Sequence, residues 1–91
     1  MRETWEYCEI ALAGSFLVWF EARAIGVKGR YVVAQSRKVL VHITINGLQD
    51  ENSATGEMVA IITNQLIKSG WELMPNKASA KWYSYKFRRL I

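Results

Sequence analysis

Apolar and polar residues alternate along much of the first half of the chain, and this period of two predicts β-strands. The stretch from Trp5 to Leu12, WEYCEIAL, places Cys8 and Ile10 on one face of a strand and Tyr7 on the other. Residues 16–25, FLVWFEARAI, are apolar on both faces. This second pattern predicts a central strand that is covered on both sides.

Two more strands are predicted before the middle of the chain. The segment Gly26 to Gly29 indicates a hairpin turn, because glycine accepts the positive φ angles that tight turns need. Strands are then expected at Tyr31 to Gln35 and at Val39 to Ile45. The pair Asn46-Gly47, which is typical of turns, ends the second of these strands.

The hydrophobic period becomes helical between Ser53 and Ser69. Ser53 is predicted to cap the N-terminus of this helix, and Glu57 lies in its early turns, where the helix dipole favours an acid. One apolar stripe at helical spacing is formed by Met58, Val59, Ile62 and Leu66.

The join KSGWELMP, residues 68–75, carries the signals of a helix end. With Ser69 as the C-cap, Gly70 adopts the left-handed conformation and Trp71 contacts Leu66, as in a Schellman motif. Lys68 in the last turn suits the helix dipole. We therefore interpret Leu66, Gly70 and Trp71 as a structural join that needs no reactive chemistry.

A short strand follows the join and ends at Pro75-Asn76, and a last strand is predicted from Ala80 to Leu90. Alternation gives this last strand two different faces. One face is predicted to carry Tyr83, Tyr85 and Phe87, and the other Trp82, Lys86 and Arg88.

The elements predict an α+β fold in one domain, residues 1–91, in the order β-β-β-β-α-β-β. Short connections favour a single antiparallel sheet of five to six strands with one helix packed on one face. A helix of about 17 residues spans only ~25 Å, which leaves Trp5, Trp19 and Trp82 to be covered. Either the sheet curls tightly on itself or a second copy covers it, and we favour a homo-oligomer, first of all a dimer.

The net charge of +4 adds a second hypothesis, because the basic residues occur in runs without acids. Basic strands with aromatic residues bind phosphate backbones, so nucleic-acid binding is the alternative function, with Trp82 as a stacking platform. The simpler interpretation is solvated charge on strand faces and edges. The residues nominated for nucleic-acid contact are Arg23, Lys28, Arg30, Lys81, Trp82, Lys86 and Arg88.

Reactive chemistry has little support in the sequence. Cys8 and His42 could form a nucleophile and its base, but a lone cysteine on an apolar strand face is more often a core residue. The sequence has one cysteine and one histidine, which are too few for a zinc site with four Cys or His ligands. We predict a non-enzymatic interaction or structural module with no catalytic, cofactor or metal residues. A small-molecule or enzymatic site in a cleft of the oligomer is a third hypothesis.

The single cysteine and the position of the apolar run indicate the cellular compartment. A single cysteine cannot form an intrachain disulfide, which favours a reducing compartment, the cytoplasm. The apolar run at residues 10–20 follows a net negative segment, the opposite of a signal peptide, and is too short to cross a bilayer as a helix. No membrane association is predicted.

Two segments resemble a known family. WEYCEI at residues 5–10, and LIKSGWELMP with KWYSYKFRR between residues 66 and 89, are similar to the small bacterial family called domain of unknown function 4177. That family combines a W/Y-E-Y opening strand, a helix, a G-W-E-L join and an aromatic closing strand that ends in Lys or Arg. The resemblance implies a small bacterial α+β sheet domain and implies no activity. Residues 15–50 add strands that the compact family members lack.

Overall fold

The computed structural model describes residues 4–40, 48, 50–75 and 81–90. These residues form one antiparallel sheet of six strands and a helix, which confirms the predicted α+β fold and its order. In chain order the elements are β1 (Trp5–Gly14), β2 (Leu17–Gly26), β3 (Gly29–Gln35), β4 (Val39–Leu40), α1 (Ser53–Lys68), β5 (Glu72–Leu73) and β6 (Lys86–Leu90).

The sheet is built around the long hairpin of β1 and β2. Its strand order is β3-β2-β1-β6-β5, and β4 pairs with the half of β2 that β3 leaves free. The turn between β1 and β2 requires Gly14, which has φ +90 and whose added Cβ would collide with the carbonyl oxygen of Leu17. The predicted hairpin turn between Gly26 and Gly29 is confirmed.

A bulge interrupts the pairing of β2 with β3. Ala22 pairs with Ala34 and Arg23 pairs with Val32, so Val33 is an extra residue on β3. Such a bulge bends the strand and increases its twist. Val33, the extra residue, is partly buried and packs against the core.

The N-terminus of α1 differs from the prediction by one residue. The N-cap is Asn52, not Ser53, because the backbone is still extended at Asn52. The Asn52 side chain accepts a hydrogen bond from the Thr55 N–H at 3.0 Å, and the Thr55 hydroxyl accepts one from the Asn52 N–H at 3.2 Å. These reciprocal bonds form a capping box. Glu57 lies outside the first turn, which contains no acidic residue.

The C-terminus of α1 ends as predicted. Gly70 has φ +91 and follows the C-cap Ser69. The N–H of Trp71 donates to the Leu66 carbonyl at 2.9 Å, and the N–H of Gly70 donates to the Ile67 carbonyl at 3.1 Å. These are the two hydrogen bonds of a Schellman motif. Trp71 consequently folds back into the core.

The core lies between α1 and one face of the sheet. The predicted apolar stripe of the helix is confirmed, since Met58, Val59, Ile62 and Leu66 are all buried. From the sheet, Ile10, Phe20 and Phe87 meet this stripe and are fully buried. The same cluster includes Cys8, which confirms the cysteine as a core residue.

The closing strand is shorter than predicted. It begins at Lys86, and residues 82–83 form a turn instead of continuing the strand. This turn directs both Trp82 and Tyr83 toward Phe20, with ring centroids 5.8 and 5.1 Å from the Phe20 ring. The prediction that Trp82 lies opposite Tyr83 is therefore wrong, because alternation holds only while the chain stays extended. Ala80 lies outside the described residues.

Other predictions also fall outside the described part of the chain. The predicted strand at Val39 to Ile45 is described only at Val39–Leu40. His42, the turn at Asn46-Gly47 and the strand end at Asn76 are not among the described residues.

Candidate functional site

The face of the sheet that lies away from α1 is the candidate site, and it is called the open face below. Directly opposite residues of antiparallel neighbours share a face, so the strand registers define it. Its members include Trp5, Tyr7, Glu9, Ala11 and Ala13 of β1, Leu17, Trp19, Glu21, Arg23 and Ile25 of β2, Arg30 and Val32 of β3, and Lys86, Arg88 and Leu90 of β6.

Two rows of side chains cross the centre of the open face. In the first row Tyr7 stands between Arg88 and Ile25, and Ile25 stands opposite Arg30. In the second row Glu9 stands between Lys86 of β6 and Arg23 of β2. The first row therefore has two apolar residues between two cations, and the second has three charged residues in succession followed by Val32.

The centre of the open face forms a groove of about 840 Å³. Tyr7, Ile25 and Val32 line it, and these residues are 46%, 50% and 45% exposed. Single exposed apolar residues are common on protein surfaces. Several large apolar residues that lie side by side on a sheet face and are half exposed are unusual. In this groove, exposed apolar area and cations therefore occur together.

The expectation that β2 is covered on both sides is wrong for the described chain. β2 is central, since β1 pairs with one of its edges and β3 and β4 with the other. Only its helix-facing residues are covered by α1, however, and Leu17 and Ile25 on the open face are exposed. A single helix reaches one face of a sheet and not the other.

The tryptophans of the open face are partly covered by cations of the same chain. The Arg88 guanidinium lies 4.4 Å from the centroid of the Trp5 ring, and the Lys38 ammonium lies 4.9 Å from that of Trp19. Both contacts are cation–π interactions. The expected need for a second copy to cover Trp5 and Trp19 is therefore met in part within the chain, and the tyrosine and the aliphatic residues remain exposed.

Half of the open-face cations are held by carboxylates. Arg23 donates to Glu21 at 3.3 Å, and Arg88 donates to Glu72 at 3.3 Å. Glu21 is buried, whereas the Arg88–Glu72 pair is exposed on both sides, and exposed pairs contribute about 0–1 kcal/mol. Within the part of the chain that the structure describes, Arg30 and Lys86 form no ion pair.

The residues nominated for nucleic-acid contact do not form one surface. Four of them, Arg23, Arg30, Lys86 and Arg88, lie together on the open face. Lys28 lies in the hairpin turn after β2, and Lys81 lies just before the turn of residues 82–83. Trp82 packs edge-on against Phe20 and Tyr83, which places it at the core.

The open face also contains residues that the sequence analysis did not nominate as site residues, namely Tyr7, Glu9, Ile25 and Val32. The alternation of β1 was a signal for Tyr7 and Glu9, since both are out of phase with the core residues Cys8 and Ile10. Their importance depends on β2, β3 and β6 as neighbours, and this pairing is long-range.

A second polar cluster lies at the end of the sheet on the helix side. The carboxylate of Glu6 accepts hydrogen bonds from the Tyr31 hydroxyl at 2.7 Å and from the Arg89 guanidinium at 2.8 Å. Arg89 also stacks on the Trp71 ring at 4.5 Å. The carboxylate sits over Gly26, where an added Cβ would lie 2.7 Å from it. The cluster ties three strands to the end of α1.

The hydrogen bonds of this cluster change its acid–base behaviour. The hydrogen bond from Tyr31 holds the pKa of Glu6 below its ordinary value, and the hydrogen bond from Arg89 acts in the same direction. Burial raises the pKa of Tyr31, and the hydrogen bond to Glu6 raises it further. The Tyr31 hydroxyl and the Arg89 guanidinium both donate to Glu6, so we interpret the cluster as a structural clamp.

Cys8 lies in an environment that disfavours a thiolate. Burial raises the pKa of the thiol to about 12, so it is protonated at neutral pH. The described residues contain no group of three His, Cys, Asp or Glu side chains that could hold a metal ion. No helix in the described ranges is long and apolar enough to span a membrane.

No family model, no curated protein and no solved structure matches this chain. The resemblance to the domain of unknown function 4177 therefore stays a prediction, and the open face is the feature from which a function can be argued.

Proposed function

We propose that the protein is a non-enzymatic interaction module that self-associates, with the open face packed on the open face of a second copy. The proposal depends on one observation, the half-exposed Tyr7, Ile25 and Val32 at the centre of a sheet face. Adjacent apolar side chains of this size favour association because packing removes their surface from water.

The size of the open face supports a dimer. β1 and β2 have 10 residues each. With the usual rise and spacing of strands, these two strands together with the seven residues of β3 and the five of β6 present about 500 Å² before the relief of the side chains is counted. Stable interfaces bury roughly 800 Å² per partner. The open face is smaller than this value, so we expect a dimer of moderate affinity.

The charges of the open face also favour a second copy over a polyanion. A nucleic acid needs an excess of cations, whereas Glu9 and Glu21 lie among the arginines and lysines of this face. A surface of mixed sign is complementary to itself when one copy is rotated onto another. Arg30 and Lys86, which lack ion-pair partners in the described chain, keep nucleic-acid binding as the alternative.

A bacterial and cytoplasmic setting belongs to the same proposal. It rests on the family resemblance and on the single cysteine.

The decisive experiment compares two isoleucines of equal exposure. Ile25 on the open face is 50% exposed, and Ile61 on α1 is 48% exposed. The mass in sedimentation equilibrium is measured from about 1 μM to about 1 mM, the range of weak to moderate affinities. Wild type and Ile61→Lys are expected to dimerise, and Ile25→Lys to remain monomeric.

A wild type that stays monomeric across this range overturns the proposal, as does equal dimerisation of Ile25→Lys and wild type. The alternative is tested by the fluorescence anisotropy of labelled single-stranded and duplex oligonucleotides at low and moderate salt. Binding that weakens with salt and is lost in Arg30→Glu/Lys86→Glu would support it. An unchanged anisotropy at low salt would exclude it.

A further inference from the structure

The centre of the open face contains an acid, Glu9, that forms no ion pair with the residues that the structure describes. Glu9 stands directly opposite Arg23 across the β1–β2 pair. The Arg23 side chain nevertheless donates to Glu21 of its own strand at 3.3 Å and to the Leu12 carbonyl of β1 at 3.5 Å. Within the described chain Glu9 therefore has no ion pair, although cationic residues stand on both sides of it.

The register of β1 and β2 shows which rotation would give Glu9 a partner. A two-fold axis that runs parallel to the strands, between β1 and β2 and above the open face, lays β1 of one copy over β2 of the other. Each row of side chains then meets the same row of the partner. Because Glu9 and Arg23 occupy one row, Glu9 meets the partner's Arg23, and the reverse contact forms by symmetry.

The other rows are complementary under the same rotation. Tyr7 and Ile25 occupy one row, so the aromatic ring covers the partner's Ile25. Ala13 and Trp19 occupy another row, and this places the smallest side chain opposite the largest. Two sheets that pack face to face need such interdigitation of their inner side chains.

A different axis is less favourable. An axis perpendicular to the strands and passing through the Glu9 row places Glu9 on the partner's Glu9 and Arg23 on the partner's Arg23. Like charges that face each other in a closed interface are costly. Under the favoured axis the one like-charge approach is Arg30 near the partner's Arg88, at the rim, where Glu72 already pairs with Arg88.

We infer that two copies pack about an axis parallel to β1 and β2, with Glu9 of each copy bound to the partner's Arg23 and Tyr7 of each copy covering the partner's Ile25. The inference rests on the proposed function and adds the register and symmetry of the interface. Arg23 can keep Glu21 while it binds the second carboxylate, since a guanidinium has five N–H donors.

Charge reversal tests this arrangement. Glu9→Arg and Arg23→Glu each create two like-charge contacts in a homodimer, and each is expected to weaken the dimer about tenfold or more. An equimolar mixture of the two variants is expected to associate as a heterodimer, because opposite charges then face each other at both positions. The doubly substituted chain Glu9→Arg/Arg23→Glu is expected to dimerise like wild type.

The association is measured by sedimentation velocity, and heterodimers are identified by native mass spectrometry of chains that differ in mass. Glu57→Arg, on the exposed side of α1, is the matched reversal and is expected to leave the dimer unchanged. Thermal melting of each variant, followed by circular dichroism, establishes that it folds. The double variant keeps opposite charges next to each other within the chain, so it remains informative if a single reversal unfolds.

The results separate the two claims. A wild type that is monomeric overturns the proposed function and this inference together. A dimer that both single reversals leave intact, or that the mixture and the double variant fail to restore, overturns only the arrangement about this axis.

Discussion

The two faces of one strand, β1, have opposite surroundings. Cys8 and Ile10 face α1 and are buried, while Tyr7 between β6 and β2 is nearly half exposed. The backbone and its hydrogen bonds are the same on both sides. The difference comes from what packs on each face, and a helix of 16 residues covers one of them. A sheet this small therefore presents a face for association wherever its second side stays apolar.

The acids of β1 show the same contrast. Glu6, on the helix side, accepts hydrogen bonds from Tyr31 and Arg89. Glu9, on the open face, has no ion pair among the described residues, although Arg23 and Lys86 stand on either side of it. A clamp that is satisfied within the chain stabilises the fold, whereas an unpaired charge beside exposed apolar groups is available to a partner.

The largest expected difference between the two faces concerns isoleucines. Ile62→Ala is expected to lower the free energy of unfolding by about 2–5 kcal/mol, because the fully buried side chain leaves a cavity. Ile25→Ala on the open face is expected to change it by less than about 1 kcal/mol in the monomer. Urea denaturation at low protein concentration measures both values. Equal effects would contradict the assignment of the two faces.

The helix end comes next in magnitude. Gly70→Ala forces a Cβ into the left-handed region at φ +91 and is expected to cost about 1 kcal/mol. For a chain of this size that corresponds to a melting temperature lower by about 4–8 °C. Lys68→Ala, on the exposed side of the same turn, is the control and is expected to have a much smaller effect. A melting temperature unchanged in Gly70→Ala would argue against the Schellman motif.

The two glutamates give a smaller and pH-dependent contrast. The pKa of Glu6 is lowered in the folded protein, so Glu6 stabilises the fold above its ordinary pKa of 4.5, and this contribution is lost as the pH falls through the lowered value. Glu6→Gln is expected to lower the melting temperature at pH 7 and to weaken its acid dependence. Glu9→Gln should change neither in the monomer. Melting curves between about pH 3 and pH 7 bracket the titration range of a carboxyl group.

The smallest expected effect is a change in the labelling rate of the Cys8 thiol, which reports how often the helix side of β1 opens. This buried thiol, with a pKa raised to about 12, is expected to react with an aromatic disulfide reagent at pH 8 only as fast as the protein opens. The reaction should therefore accelerate in Ile62→Ala and not in Ile25→Ala. Rapid labelling of the folded wild type, monitored by absorbance, would show that the helix side of β1 is accessible.

Local patterns were sufficient for much of the architecture. The period of two in β1 and β2 assigned each residue to a face, and the helical stripe from Met58 to Leu66 identified the buried side of α1. The join at Gly70 was also predictable, because a helix end is built from residues adjacent in sequence. The N-cap lies one residue before the predicted position. Asn52 and Ser53 both suit a cap, and the backbone is still extended at Asn52, which makes Asn52 the cap.

The sites depended on neighbours far apart in the chain. Glu6 and Arg89 are separated by 83 residues, and no local signal links them to Tyr31. Trp82 entered the core because the chain turned before β6, and alternation does not predict where a strand begins.

The period of side chains along a strand or helix is a property of the backbone geometry of each element, and for that reason the order of residues was enough to divide β1 into a core side and an outer side. The turn after Gly14 fixes the register of the β1–β2 hairpin, which places Glu9 beside Arg23 and Tyr7 beside Ile25. The packing of the whole sheet on α1 decides which further strands lie beside this hairpin, and the folded chain partly covers Trp5 and Trp19 with its own cations. The open face is therefore a consequence of tertiary structure, since it exists where the single described helix cannot reach.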